Sequence, residues 1–287
     1  MPACFFASDL HGRVDRYEKL LAAVAAERPA AVFLGGDLLP SGFGMAGSLD
    51  PAHEDFIEAF LAPAFDRLRR RLAGGYPDVF AVLGNDDPRA EEAAMIDAAG
   101  RGLWRYAHGQ RFEWEGYFVA GYACVPPTPF RLKDWERYDV SRYVDPGCLS
   151  PEEGWRTVPV PPSEIRYATI EQDLDALVGD RPLGRAILLF HAPPYRTALD
   201  RAALDGRMVE HVPVDVHVGS IAIQRFIERR QPLVTLHGHV HESARLTGDW
   251  RARLGGTHAF SASHDGPELA LVRFDPDAPD LATRALL

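Results

Sequence analysis

The chain has 287 residues, 46% of them hydrophobic, with 41 acidic against 31 basic side chains and a formal charge of −10 at pH 7. That length and apolar content suffice for one substantial core, whereas an acidic balance with no Lys/Arg run argues against non-specific binding of nucleic acid, which needs a basic surface. Cys4, Cys124 and Cys148 lack CxxC spacing and give neither a disulfide framework nor a thiolate metal site. With no basic leader region and no apolar run long enough for a membrane span, the sequence reads as a soluble, cytoplasmic protein.

In chain order, five short apolar runs stand out: "CFFAS" (4–8), "AVFLGG" (31–36), "VFAVLG" (79–84), "AILLF" (186–190) and "LVTL" (233–236). Continuous rather than alternating hydrophobicity suggests strands buried on both faces. Helical patterns lie between them. "RVDRYEKLLAAVAAERP" places Val14, Tyr17, Leu21 and Val24 on one face, and Pro29 stops it. "HEDFIEAFLAPAFDRLRRRLA" follows, with Pro63 expected to kink or split it. "DPRAEEAAMIDAAG" offers Asp87 as N-cap, Pro88 at the first helical position and Gly100 at the end. Ser220 is a candidate cap for "IAIQRFIERRQ", which Pro232 closes. Strands alternating with helices predict βαβ units and a largely parallel first sheet. Residues 111–123 and the tail from "ARLTGDW" to "LALVRFD" read as hairpins of a second, mixed sheet. The chain is read as one domain over 1–287, with an irregular, ordered insertion or lid at about 123–172 bracketed by "VPPTPF" and "VPVPPS".

Each apolar run is followed at once by residues able to bind a metal: Asp9 and His11, then Asp37, then Asn85, then His191, then His239 and His241. Singly, each is compatible with an ordinary turn, a cap or a satisfied histidine. Together they are not, because the carboxyl ends of strands in an α/β sheet share one edge, where loops bring distant residues into one crevice. Mixed nitrogen and oxygen donors without thiolate suit Mn, Fe, Zn, Co or Ni better than Ca or Mg, and do not choose among them.

The series "DLHG", "GGD", "GND", "FHAPP" and "GHVH", spanning positions 9 to 241, resembles the calcineurin-like metallophosphoesterase superfamily. The resemblance implies a four-layer αββα sandwich of two mixed β-sheets flanked by helices, with two divalent metal ions at the strand ends. It also implies that Asp9, His11 and His241 hold one ion, that Asn85, His191 and His239 hold the other, and that Asp37 bridges them. Such a pair can share a hydroxide and spread the charge of an in-line displacement at phosphorus.

Asp86 departs from the pattern. Many superfamily members carry there a histidine that contacts the substrate phosphate and protonates the leaving group. A carboxyl in that place repels phosphate unless a cation or a proton offsets it. Asp86 itself, His217 in "DVHVGS" or His264 in "SASHDG" is then a candidate acid, each histidine reading more readily as an exposed loop residue, or the leaving group departs without a proton. Asp87 reads as a plain helix cap in preference to a buttress of the metal loop. Trp135, Tyr138, Tyr143 and Trp155 could stack on a nucleotide, or simply pack under an irregular loop. The expected function is metal-dependent hydrolysis of a small-molecule phosphate ester, by preference a diester and conceivably of a nucleotide. The competing readings are a catalytically weak scaffold acting in protein interaction, which predicts eroded ligands, and a nuclease, which needs a basic channel.

Overall fold

The computed structural model describes residues 3–40 and 56–287. The first half runs β1 (Cys4–Ala7), α1 (Val14–Glu27), β2 (Ala31–Gly35), α2 (Ala62–Leu72), β3 (Asp78–Val82), α3 (Glu92–Gly100), β4 (Arg105–Tyr106), β5 (Arg111–Trp114) and β6 (Tyr117–Tyr122). After the irregular segment come α4 (Pro162–Tyr167), α5 (Ile170–Val178), β7 (Ala186–Phe190), a small ribbon of β8 (Met208–Val209) and β9 (Val212–Pro213), and α6 (Ile221–Arg230). The chain closes with β10 (Val234–His237), α7 (Ser243–Thr247), β11 (Arg251–Leu254), β12 (Thr257–Ser261), β13 (Ala270–Phe274) and β14 (Thr283–Leu286).

The strands form two six-stranded mixed sheets flanked by helices, in the orders β14-β13-β1-β2-β3-β4 and β11-β12-β10-β7-β6-β5. The five apolar runs therefore do not share one sheet. β1, β2 and β3 run parallel in the first, and β7 and β10 run parallel in the second. The 111–123 hairpin is β5–β6. The tail differs from expectation: "ARLT" lies in α7, β11–β12 is a hairpin of the second sheet, and β13–β14 is a hairpin that joins the first sheet through β1. Hairpin periodicity does not say which sheet a hairpin will extend.

The sheets pack face to face, β2 against β7 and β3 against β6. Aromatic rings fill part of the seam. Phe33 stacks on Phe80 at 5.2 Å and meets Trp114 of the other sheet edge-on at 6.4 Å, while Phe260 and Phe274 face each other from opposite sheets at 5.8 Å. Truncating one such buried ring to alanine costs about 3–5 kcal/mol.

Among the described helices, α5 and α6 have side-chain N-caps, from Thr169 and Ser220. The Ser220 hydroxyl accepts the Ile223 N–H, as an N-cap should. A π turn over Ile57–Leu61 precedes α2, a widening that accommodates Pro63, which cannot donate to the preceding turn; the first residues of that pattern lie outside the described residues. In α1 the buried stripe is Tyr17, Leu20 and Val24, with Val14 exposed, so the apolar face is rotated from the one expected. Asp87 is not a helix cap. Pro88 is extended and a 3-10 turn over Arg89–Glu91 leads into α3, which leaves Asp87 free to point inward.

Candidate metal centre

The turns after β1, β2, β3, β7 and β10 meet at one end of the two-sheet seam. Asp9, His11, Asp37 and His241 each offer a donor atom, and these atoms all lie within 4.8 Å of one another. His11 Nε2 and His241 Nε2 are 3.0 Å apart, and His241 Nε2 lies 3.3 Å from Asp9 Oδ1. A second set adjoins the first. His191 Nε2 is 3.0 Å from Asn85 Oδ1, and the His191 and His239 rings stand edge to face at 5.2 Å. Asp37 lies between the sets, its Oδ2 4.0 Å from His11 Nε2 and 3.3 Å from His191 Nε2.

The backbone is strained at these turns. Asp9, His11, Asp37 and His239 all have positive φ, between 47° and 77°, a region that L-residues other than Asn and Asp seldom enter and that costs on the order of 1 kcal/mol or more each. The left-handed residue of "HGHVH" is thus His239, not Gly238. Gly238 instead allows close approach: a Cβ there would stand 3.0 Å from His191 Nδ1. At Gly84 it would lie 2.3 Å from Asp37 Oδ1, so only glycine fits.

The donors are oriented from behind. His191 Nδ1 donates to the Gly35 carbonyl at 2.7 Å, so in the neutral ring Nε2 keeps its lone pair toward the centre. Asp9 is wholly buried, and its Oδ2 accepts from the Ser8 and Ser263 hydroxyls while its Oδ1 accepts the His239 N–H. Asp37 Oδ1 accepts the Asp86 N–H at 2.8 Å. Asp87 buttresses two loops at once, its carboxylate accepting the N–H groups of Leu38, Leu39 and Gly84. Asp86 Oδ1 accepts from Asn85 Nδ2 at 3.0 Å, which turns Asn85 Oδ1 toward His191.

Burial alone would raise the carboxyls and lower the imidazoles. For Asp9 that rise is outweighed by hydrogen bonding and attraction from His241, and for Asp37 by His191, which leaves Asp37 down at about 2. Conversely, Asp37 and Asp9 overcome the desolvation of His191 and lift it to about 10, and Asp9 lifts His241 to about 9. His239 falls to about 3 by burial and by its neighbour His191. Asp86 is pushed up to about 7, by burial first and then by the charge of Asp37. The carboxylates thus recruit positive charge by protonating imidazoles whose lone pairs would otherwise point inward. A divalent cation meets the same demand and leaves those lone pairs free, so the donor set fits a metal.

A profile of the calcineurin-like phosphoesterase family matches residues 4–243. The chain belongs to this family. It is therefore a metal-dependent phosphoesterase by family, and its Asp/His cluster could bind a metal. No curated protein matches the sequence. Among solved structures, one crystal structure is 18% identical with TM-score 0.62, covering 100% of this chain and 99% of its own. TT1561 of Thermus thermophilus is 18% identical with TM-score 0.55 and coverages of 99% and 98%. A structure described as a novel archaeal phosphodiesterase is 9% identical with TM-score 0.46, covering 99% of each chain. The first two likenesses bear on the fold of this calcineurin-like chain and extend beyond the profile to its last strands.

Two expected residues are paired with carboxylates other than those of the cluster. His264 Nε2 pairs with Glu268 at 3.0 Å, and His217 Nδ1 pairs with Asp200 at 2.8 Å. Of the four aromatics of the 123–172 segment, Trp135 and Tyr138 are buried, with Trp135 Nε1 donating to the Asp87 carbonyl and the Tyr138 hydroxyl to Glu152. Tyr143 and Trp155 are exposed. The motif reading missed Ser8, Ser263 and Arg16, whose guanidinium donates to the Asp9 carbonyl. No spacing rule flags them, because they act through Asp9.

Proposed function

We propose that this calcineurin-like protein hydrolyses a small phosphodiester with two divalent transition-metal ions, one held by Asp9, His11 and His241, the other by Asn85, His191 and His239, with Asp37 between them. The observation that carries the reading is the position of Asp37 Oδ2, within 4.0 Å of an imidazole from each set. Bound ions of this kind activate water and neutralise charge at phosphorus. The chain's own groups do the rest. Asn85 offers a neutral oxygen, oriented by Asp86, and so adds no negative charge where an anion must enter.

Asp86 favours a diester. Its Oδ2 lies 3.8 Å from His11 Nδ1, so an acidic side chain flanks the centre, and a cation bound there would favour its ionised form. A phosphomonoester dianion meets about twice the repulsion that a diester monoanion does. Metal-stripped protein reloaded with Mn should cleave bis-p-nitrophenyl phosphate with a higher kcat/KM than p-nitrophenyl phosphate, and Asp86→Asn should narrow that ratio. A monoester preference that Asp86→Asn leaves unmoved would sink the diester reading. The acidic chain and the absence, among described residues, of any helix able to cross a membrane fit a small, water-borne substrate better than a polymer or lipid.

A further inference from the structure

Position 86 holds an aspartate, not an imidazole, and the segment between β7 and α6 carries a histidine held by a buried carboxylate. Asp200 is wholly buried, and its carboxylate accepts the backbone N–H groups of Arg196, Thr197 and Gly219 as well as His217 Nδ1 at 2.8 Å. A carboxylate saturated by three amides is fixed in place, and what it fixes is an imidazole. Nδ1 must carry the hydrogen of that bond, since the carboxylate only accepts. The exchangeable proton of the partly exposed ring is therefore at Nε2, which has no hydrogen-bond partner among the described residues. The edge of the Tyr195 or His217 ring meets the face of the other at 6.2 Å.

Its place in the fold matters as much. Residues 200–203 and 215–218 form a short ribbon, with Arg201 bridged to His217 and Ala202 N–H donating to the Val216 carbonyl. One end touches the His191 turn, where Gly219 abuts the Pro193 carbonyl and Ser220 N–H donates to it. The other end touches the His241 turn, where the Ala203 N–H donates to Glu242. The ribbon thus spans from one proposed metal-binding turn to the next.

The other histidines offer no such arrangement. His108 and His237 are spent on internal hydrogen bonds, His264 on Glu268, and His258 opens β12 beside Asp280. His211 lies exposed in the β8–β9 turn, and His53 is outside the described residues.

We propose that His217 is a catalytic residue, the general acid that protonates the departing oxygen, and that Asp200 is its positioning residue. The inference rests on the phosphodiesterase reading above. As water's oxygen bonds to phosphorus and its proton is lost to solvent, the bond from phosphorus to the ester oxygen breaks and its electron pair stays on that oxygen. The Nε2 proton of the His217 imidazolium goes to the oxygen, and the neutral ring is then reprotonated from solvent.

General acid catalysis of this kind contributes about 10²–10⁴-fold, and only where the leaving group needs a proton. With Mn-loaded enzyme, His217→Gln should lower kcat on diphenyl phosphate by roughly 100-fold or more, and far less on bis-p-nitrophenyl phosphate, whose p-nitrophenolate departs unprotonated. Asp200→Asn should show the same asymmetry with a smaller loss. Equal losses on both diesters, or none on either, would overturn the assignment. If the variants do not fold, wild-type enzyme decides: a shallow dependence of kcat on leaving-group acidity supports the acid, and a steep one at neutral pH refutes it. Failure of wild type to cleave either diester would remove the phosphodiesterase reading itself.

Discussion

Charge is buried in two regions of this molecule, and the two treat it differently. In the 123–172 segment Lys133 and Glu136 are both wholly buried, 2.6 Å apart, with Lys133 also donating to the Thr128 carbonyl and Glu136 also accepting from the Thr128 N–H and hydroxyl. Each charge has its partner inside the segment, although burial still pushes Glu136 up to about 7. At the strand ends, Asp9 and Asp37 are equally buried, but among the described residues their carboxylates pair only with imidazoles, while the nearby Arg16 guanidinium is taken up by the Asp9 and Gly266 carbonyls. A buried pair that closes on itself is structural, whereas buried carboxylates that must protonate their neighbours mark a place for a cation from outside.

The largest expected break comes from the open side. Asp37→Ala removes the one group placed between the two donor sets, and should lower kcat on bis-p-nitrophenyl phosphate by more than about 100-fold while reducing bound metal per chain, measured by elemental analysis of the dialysed protein. Full activity with unchanged metal content would end the two-ion reading.

The closed side should respond in stability instead. Lys133→Met leaves the Glu136 carboxylate buried without its partner, a loss of about 3–5 kcal/mol. Denaturant unfolding should find that loss with metal stoichiometry per folded chain unchanged, and adding Glu136→Leu should recover much of it. A Lys133→Met protein as stable as wild type would show that the pair is not closed in the sense argued here.

Between these lies Asp87, pushed up to about 8 by burial first and then by the Asp37 charge, which holds two turns of the proposed metal centre together through three N–H groups. Asp87→Asn puts an amide donor against backbone donors and should cost about 1–3 kcal/mol, with weaker metal retention as its companion effect. If stability falls and metal binding does not, the buttress serves the fold alone.

Much of this was legible in the sequence, and for definite reasons. Apolar runs ending in Asp, Asn or His mark strands whose last residue turns into a site, so Asp9, Asp37 and His191 could be picked out, as could the β5–β6 hairpin and the Ser220 cap. What escaped was whatever depends on partners remote in sequence. Asp87 sits where a cap belongs, and only the fold shows that its carboxylate reaches back some fifty residues to Leu38 and Leu39. Likewise the allocation of β7 and β10 to a different sheet from β1 to β3 leaves no trace in local hydrophobicity, because strands buried on both faces look alike in either sheet. Asp200 drew no notice in "HAPPYRTALD", since a lone aspartate after a leucine carries no pattern of its own.

A pH series tests whether the closed region stays closed to protons. His108 lies against Trp135 at 4.9 Å, and its Nδ1 accepts the Ala123 N–H at 3.0 Å, so the ring is the neutral Nε2–H tautomer and protonation would break that bond. Burial first, then the charges of Arg89 and Arg137, push it down to about 3. In the unfolded chain a histidine titrates near 6.5. Between those values the unfolded state binds a proton that the folded state refuses, so stability falls as pH drops through that window and levels off below it. The slope attributable to this one ring is at most about 1.4 kcal/mol per pH unit. His108→Asn keeps an acceptor for the Ala123 N–H and removes the titration. Urea midpoints of wild type and variant should therefore draw together or cross as pH is lowered from 7 to 4, with wild type losing more. Parallel curves would mean that the folded protein accepts the proton, and that this region accommodates unmatched charge as readily as the strand ends do.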